Sequence, residues 1–205
     1  MKIITVQHTQ AEHHTNGMVG GSSDWPLTAL GHEQAGRIAQ ALRKELGEEP
    51  DYVLYASDMI RTTQTAQAIA EALGLAIVPV PELREIKVGS ATGKSRAWMK
   101  EHQSPRVPGE LFLDYRPLPD AETWREMRRR VALFVQRLDA HEKDAIVVAH
   151  GGSLAAFTQI FLRVSEDDGE YVWCAGNAGG VHRFEIVQEP GRTIHMLKKF
   201  NEKLF

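Results

Sequence analysis

Two short apolar runs in this chain end in histidine. Ile3-Ile4-Thr5-Val6 leads into Gln7-His8, and Ile146-Val147-Val148-Ala149 leads into His150-Gly151-Gly152. An imidazole at a strand end can serve as a nucleophile, a proton carrier or a hydrogen-bond donor. In open α/β sheets ligands bind beyond the carboxyl ends of the strands, so both rings enter one crevice if their strands are neighbours. Either histidine alone reads equally well as structural. The context of His150 favours function, because a His-Gly-Gly turn that opens a helix leaves backbone N–H groups suited to an anion such as phosphate. Arg61, on the first turn of a predicted helix, brings a planar fork of donors that matches phosphate oxygens. Glu85, in Leu83-Arg84-Glu85-Ile86, is a carboxylic acid able to give a proton to a leaving oxygen. Taken singly, Arg61 is a surface arginine and Glu85 a loop glutamate.

The elements that must position these groups alternate between β-rich runs and amphipathic helices, which predicts a sheet covered on both faces by helices. Lys2 to Val6 is the first strand. Thr28 caps a helix with Ala35, Ile38, Ala39, Leu42 and Leu46 at helical spacing, closed by Gly47. Tyr52 to Ala56 is a second strand. Ser57 or Asp58 is the expected cap of a helix running through Leu73, with Thr63, Ala66, Ala70 and Leu73 on one face and Gly74 at its end. Ala76 to Val80 is a third strand. From about Lys87 to Glu122 prolines accumulate and periodicity fades, which predicts an irregular lid or cap with a short helix near Ser95 to His102. Trp124, Met127, Val131, Phe134, Val135 and Leu138 mark the strongest helix. Arg128-Arg129-Arg130 on it is expected to face solvent and is assigned no role. Ala145 to Ala149 reads as a buried strand and Gly151 to Leu162 as a helix. Strands at Val181 to Val187 and Ile194 to Phe200 follow.

The chain has 205 residues, 42% hydrophobic and 25% charged, with a formal net charge of -3. That length suits one domain, and the composition is that of an ordinary globular protein. The absence of a net positive field argues against nucleic acid as a partner. No segment approaches the roughly 20 apolar residues that cross a bilayer, and none reads as a signal peptide, so a cytoplasmic protein without membrane attachment is expected. Cys174 is the single cysteine, which excludes an intramolecular disulfide and a thiolate zinc site; it is expected to be a small buried apolar residue. No nucleotide P-loop, dinucleotide fingerprint or serine-hydrolase elbow is present.

In order along the chain, these pieces resemble the histidine phosphatase superfamily, in its phosphoglycerate mutase-like branch. The resemblance lies in His8, in Pro26-Leu27-Thr28-Ala29-Leu30-Gly31 with Gln34-Ala35, and in Ser57-Asp58-Met59-Ile60-Arg61-Thr62-Thr63-Gln64-Thr65-Ala66. It continues through Leu83-Arg84-Glu85-Ile86 with Gly89 and Gly93, Val147-Val148-Ala149-His150-Gly151-Gly152, and Asn177. It implies a three-layer α/β/α fold with a mostly parallel sheet. The implied reaction is a two-step phosphoryl transfer: His8 attacks phosphorus, Glu85 protonates the departing alcohol, Arg61 and His150 hold the equatorial oxygens, and water then releases phosphate. No metal or organic cofactor is implied, and relatives occur as monomers and homodimers.

The chain departs from that pattern where the family has Arg-His-Gly and this sequence has Gln7-His8-Thr9. Gln7 offers an amide hydrogen bond without charge; one lost charge-assisted contact is worth about 1.5 to 3 kcal/mol, or roughly 10- to 150-fold in rate. Thr9 either narrows the pocket or donates its hydroxyl to phosphate. The following loop, Glu12-His13-His14-Thr15-Asn16, is dense in polar groups. Protonated His13 or His14 is expected to restore part of the lost charge, and His14, Asn16 and Gly151 join Gln7 and Thr9 as expected substrate contacts. No metal site is expected at His13 and His14, since adjacent residues rarely point the same way. The expected activity is phosphomonoester hydrolysis of a small metabolite; the alternatives are a mutase and a phosphate binder impaired by Gln7.

Overall fold

The protein is described by a computed structural model covering residues 1–140 and 143–205. Among the described residues the sheet has six strands in the order β3-β2-β4-β1-β5-β6: β1 (Lys2–Gln7), β2 (Tyr52–Ala56), β3 (Ile77–Pro79), β4 (Asp144–Ala149), β5 (Val181–Glu189) and β6 (Arg192–Glu202). The first four run parallel, while β5 pairs antiparallel with both β1 and β6. The continuous apolar runs of β1 and β4 have a simple cause, since successive side chains enter opposite cores. Ile3, Val147 and Ala149 pack under α4 (Trp124–Asp139) and α5 (Gly151–Phe161), whereas Ile4, Val6, Ile146 and Val148 pack under α1 (Ala29–Leu46) and α2 (Ile60–Leu73). This is the expected α/β/α sandwich. Register decides the site: Gln7 lies opposite Ala149, so His8 and His150 leave adjacent parallel strands side by side.

Helix boundaries follow local chemistry. The Thr28 hydroxyl accepts the N–H of Gly31, and Gly47 closes α1. Gly31 must lack a side chain, because a Cβ there would collide with the carbonyl of Gln10. Thr123 and Glu126 form a capping box on α4. In the irregular region, α3 (Arg96–His102) starts at Ser95 as expected, and Val19, Val88, Ala91, Leu118 and Ala121 give the lid its own small core.

Four expectations need correction. Helix α2 starts at Ile60 after Met59, and its first free N–H is satisfied by Asp24 Oδ1 at 2.7 Å from a remote loop rather than by Ser57 or Asp58. Its buried face is Thr62, Thr65, Ala66, Ile69, Ala70 and Leu73, so Thr63 lies off it. Cys174 is only half-buried, at the border of the core under α4 and α5. The basic run is not a solvated face. Arg128 is buried and donates to the carbonyls of Val164 and Ser165, and Arg130 donates to those of Glu82 and Arg84; only Arg129 makes an exposed pair, with Glu166. The carbonyls of Glu82, Arg84 and Val164, which have no backbone partner among the described residues, attract these long cations inward.

Candidate active site

The ring of His8 is held in one tautomer from both sides. Its Nδ1 lies 2.8 Å from the carbonyl of Thr9, an acceptor, so Nδ1 carries the hydrogen. Its Nε2 lies 3.2 Å from Nε of Arg61, a donor, so Nε2 presents its lone pair. An unprotonated Nε2 is the atom a nucleophilic imidazole needs. Burial pushes the His8 pKa well below its usual value, with the positive charge of Arg61 adding to the effect, so the ring is neutral at pH 7.

Arg61 is only 1% exposed, and its guanidinium bonds the carbonyls of Ser23 (2.9 Å) and Gly21 (2.8 Å) as well as His8. Among the described residues no carboxylate pairs with it directly; Glu85 and Asp24 act on it only at longer range. A desolvated cation without a counter-ion is unfavourable, and a bound anion would relieve it. Two of its five N–H groups remain for such a ligand.

His150 is fully buried, with its ring centroid 5.2 Å from that of His8. Its Nε2 meets Ser57 Oγ at 2.9 Å, and its Nδ1 is buried without a protein partner. Burial and then Arg61 depress its pKa as well. Glu85 lies in the loop after β3. Its Oε2 accepts the N–H of Gly152 at 2.8 Å and its Oε1 that of Ile86 at 2.9 Å. The helix start expected to receive an external anion thus receives the carboxylate of Glu85 at Gly152. Glycine at 152 leaves room for this carboxylate, since a Cβ there would collide with Glu85 Oε1 and push it aside.

A model of the histidine phosphatase superfamily (branch 1) matches residues 3–196. The chain belongs to the histidine phosphatase superfamily. Named relatives include "Putative phosphoserine phosphatase 2" of Hydrogenobacter thermophilus, 31% identical over 76% of this chain and 75% of that protein. Another is "Probable phosphoglycerate mutase GpmB" of Yersinia enterocolitica, 30% identical over 79% and 75%. Among solved structures, the α-ribazole phosphatase of Shigella flexneri superposes with a TM-score of 0.81 at 19% identity, covering 99% of this chain and 97% of its own. A mycobacterial glucosyl-3-phosphoglycerate phosphatase with inorganic phosphate gives 0.79 at 20% identity, covering 99% and 98%.

Within this histidine phosphatase, the structure gathers His8, Arg61, His150, His13 and His14, and it assigns other work to several expected contacts. The Thr9 hydroxyl donates to the carbonyl of Gly31 at 2.7 Å, so it is spent on α1. The exposed Asn16 accepts the N–H of Met18 within its own turn. Gln7 is buried: a Cβ on Gly151 would stand 3.3 Å from its Nε2 and one on Gly176 2.9 Å from its Oε1, which has no partner.

His13 and His14 both turn toward His8, contrary to the expectation for adjacent residues. The His14 ring stacks parallel to His8 at 5.5 Å, His13 lies 5.9 Å away, and ring nitrogens of all three fall within 4.8 Å of one another. A three-residue 3-10 turn, Glu12–His14, makes this convergence possible. Such a group resembles a metal site in outline, but two facts favour an anion. Arg61 already donates to His8 Nε2, and His14 Nδ1 accepts the Ala11 N–H at 3.0 Å, which leaves Nε2–H as a donor. Burial lowers the His13 pKa to about 3 and also lowers that of His14. The unliganded site therefore offers neutral donors rather than the extra positive charge expected of these two residues.

Sequence reasoning missed Ser57 as the partner of His150 and the carbonyls that hold Arg61. Ser57 carried a readable signal, since it follows β2 as His8 follows β1.

Proposed function

We propose that this protein hydrolyses phosphomonoesters of small metabolites through a phosphohistidine at His8, without a metal ion. The observation that carries this reading is the presentation of the His8 Nε2 lone pair beside the buried, carboxylate-free Arg61. Nε2 forms a bond to phosphorus as the bond from phosphorus to the ester oxygen breaks, and Glu85 supplies the proton that oxygen needs. A water then attacks phosphorus, gives its proton to Glu85, and returns the electron pair to Nε2. Arg61 and His150 stabilise charge on the equatorial oxygens, with Nδ1 of His150 free to contact one. His14, through Nε2–H, is the neutral donor that stands in for the arginine replaced by Gln7.

Next to Glu85 a cavity of about 660 Å³ receives the leaving group. Its wall includes Asp24, Asp58, Arg84, Lys87, Thr92 and Asp120, and among the described residues no aromatic ring lines it. Such a wall suits a hydroxylated or charged alcohol better than a nucleobase, which binds by stacking. Phosphorylated sugars and phosphorylated hydroxy acids are the proposed class.

Release of inorganic phosphate from a panel of phosphomonoesters, with wild type beside His8→Ala and chelator present, tests the proposal. Turnover that disappears in His8→Ala and survives the chelator supports it. Phosphate binding without turnover on any ester would instead favour the impaired binder that Gln7 suggests. Transfer of phosphate between the hydroxyls of phosphoglycerate, faster than its release, would favour a mutase.

A further inference from the structure

Glu85 sits in a segment that no strand ladder or α-helix holds, between short 3-10 turns at Pro81–Leu83 and Gly89–Ala91. Its carboxylate must nevertheless stay within a fraction of an ångström of a reacting oxygen to act as an acid. One ion pair grips the backbone on both sides of it. Upstream, Nη1 of Arg130 donates to the carbonyls of Glu82 (2.7 Å) and Arg84 (2.8 Å). Downstream, Glu122 Oε2 accepts the N–H of Lys87 (3.1 Å), and the N–H of Glu122 donates to the carbonyl of Lys87 (2.8 Å). The two grips are joined by a fork: Arg130 Nε to Glu122 Oε1 at 3.0 Å and Nη2 to Oε2 at 2.7 Å. The Glu122 side chain is 8% exposed and that of Arg130 19%. Neither faces His8 as a direct partner; Arg130 also borders the leaving-group cavity whereas Glu122 does not, so Glu122→Gln is the variant that separates positioning from direct contact with the ester.

We propose that Arg130 and Glu122 are positioning residues for Glu85, and that they act on leaving-group protonation rather than on attack at phosphorus. This rests on the reading of Glu85 as the general acid. Arginine is required because one group must serve a carboxylate and two carbonyls in fixed directions; lysine has three donors on a flexible stem and no fork. If the grip loosens, Glu85 loses alignment with the ester oxygen while His8, Arg61 and His150, held by β1, β4 and α2, keep theirs.

The signature is dependence on the leaving group. An alkyl phosphate releases a strongly basic alkoxide that needs the proton, whereas p-nitrophenyl phosphate releases a phenolate that leaves without one. Arg130→Lys and Glu122→Gln should lower kcat/KM, which reports only the steps up to departure of the leaving group, about 10- to 100-fold on glycerol phosphate, a partial loss of the roughly 100-fold or more a general acid supplies, and change kcat/KM on p-nitrophenyl phosphate by less than about 3-fold. A merely structural role would lower both rates together. Thermal melting of each variant reports folding, and Arg130→Lys keeps the charge if Glu122→Gln fails to fold. Glu85→Gln is measured in parallel on the same two esters. If Glu85→Gln loses both rates equally, the acid assignment fails and the proposal falls with it. If Glu85→Gln is selective against the alkyl ester but both clamp variants are not, the acid stands and the positioning proposal is overturned.

Discussion

Mild acid should destabilise this protein well before its carboxylates titrate. His8, His150 and His182 are buried, and burial depresses all three pKa values, that of His182 to about 4. The unfolded chain takes up protons near the ordinary histidine value of 6.5, whereas the native rings refuse them. A depressed native pKa means that stability is full above 6.5 and is lost as pH falls toward the native values. Between pH 7.5 and 5.5 a ring that stays neutral in the native state costs on the order of 1 kcal/mol, so three cost roughly 3 to 4 kcal/mol, a large part of the 5 to 15 kcal/mol typical of a folded protein. His13, buried with its pKa lowered to about 3, adds in the same direction. Urea unfolding followed by circular dichroism at the two pH values, at an assumed slope of about 2 kcal/mol per molar, should show the midpoint fall by about 2 M with the slope unchanged. His182→Gln removes one titrating ring away from the reacting atoms and should recover about 1 kcal/mol of the loss. A midpoint that moves by less than about 0.5 M would refute the reasoning, because the native rings would then be taking up protons as readily as the unfolded ones.

Inorganic phosphate at 100 times its dissociation constant should stabilise the protein by about 2.7 kcal/mol in the same assay, and Arg61→Met, which removes the buried cation, should abolish that gain. His14→Ala should reduce kcat/KM about 5- to 20-fold on every ester, as expected for one neutral donor; no change would remove His14 from the phosphate site. Thr9→Val removes the second hydrogen bond to the carbonyl of Gly31, which α1 still pairs with the N–H of Ala35, and should cost about 0.5 to 1.5 kcal/mol of stability with little change in KM, measurable by denaturant unfolding. Gly152→Ala should displace Glu85 and cut kcat/KM on alkyl phosphates at least 10-fold while sparing that on p-nitrophenyl phosphate; equal losses would show that helix α5 had been disturbed instead.

Much of this protein was legible in one dimension because the relevant physics is local. Alternating β-rich and helical periodicity specified the layers, Thr28 and Gly47 marked the ends of α1, and the runs ending in His8 and His150 pointed to a shared crevice. The order of short motifs then carried the family. Tertiary structure alone decided which polar group met which. A hydroxyl or amide in sequence has no preferred partner until packing removes water around it, and the choice then goes to the nearest group with a free lone pair or N–H. Thr9 went to the carbonyl of Gly31, Asn16 to its own turn, and Asp24 rather than Ser57 to the start of α2, which released Ser57 for His150. The same competition drew Arg128 and Arg130 inward from a helix face that reads as solvated, and it brought His13 and His14 against His8 through a turn no periodicity announces. Charge state was decided there too, since burial beside Arg61 keeps imidazoles neutral that in water would share a proton at mildly acidic pH.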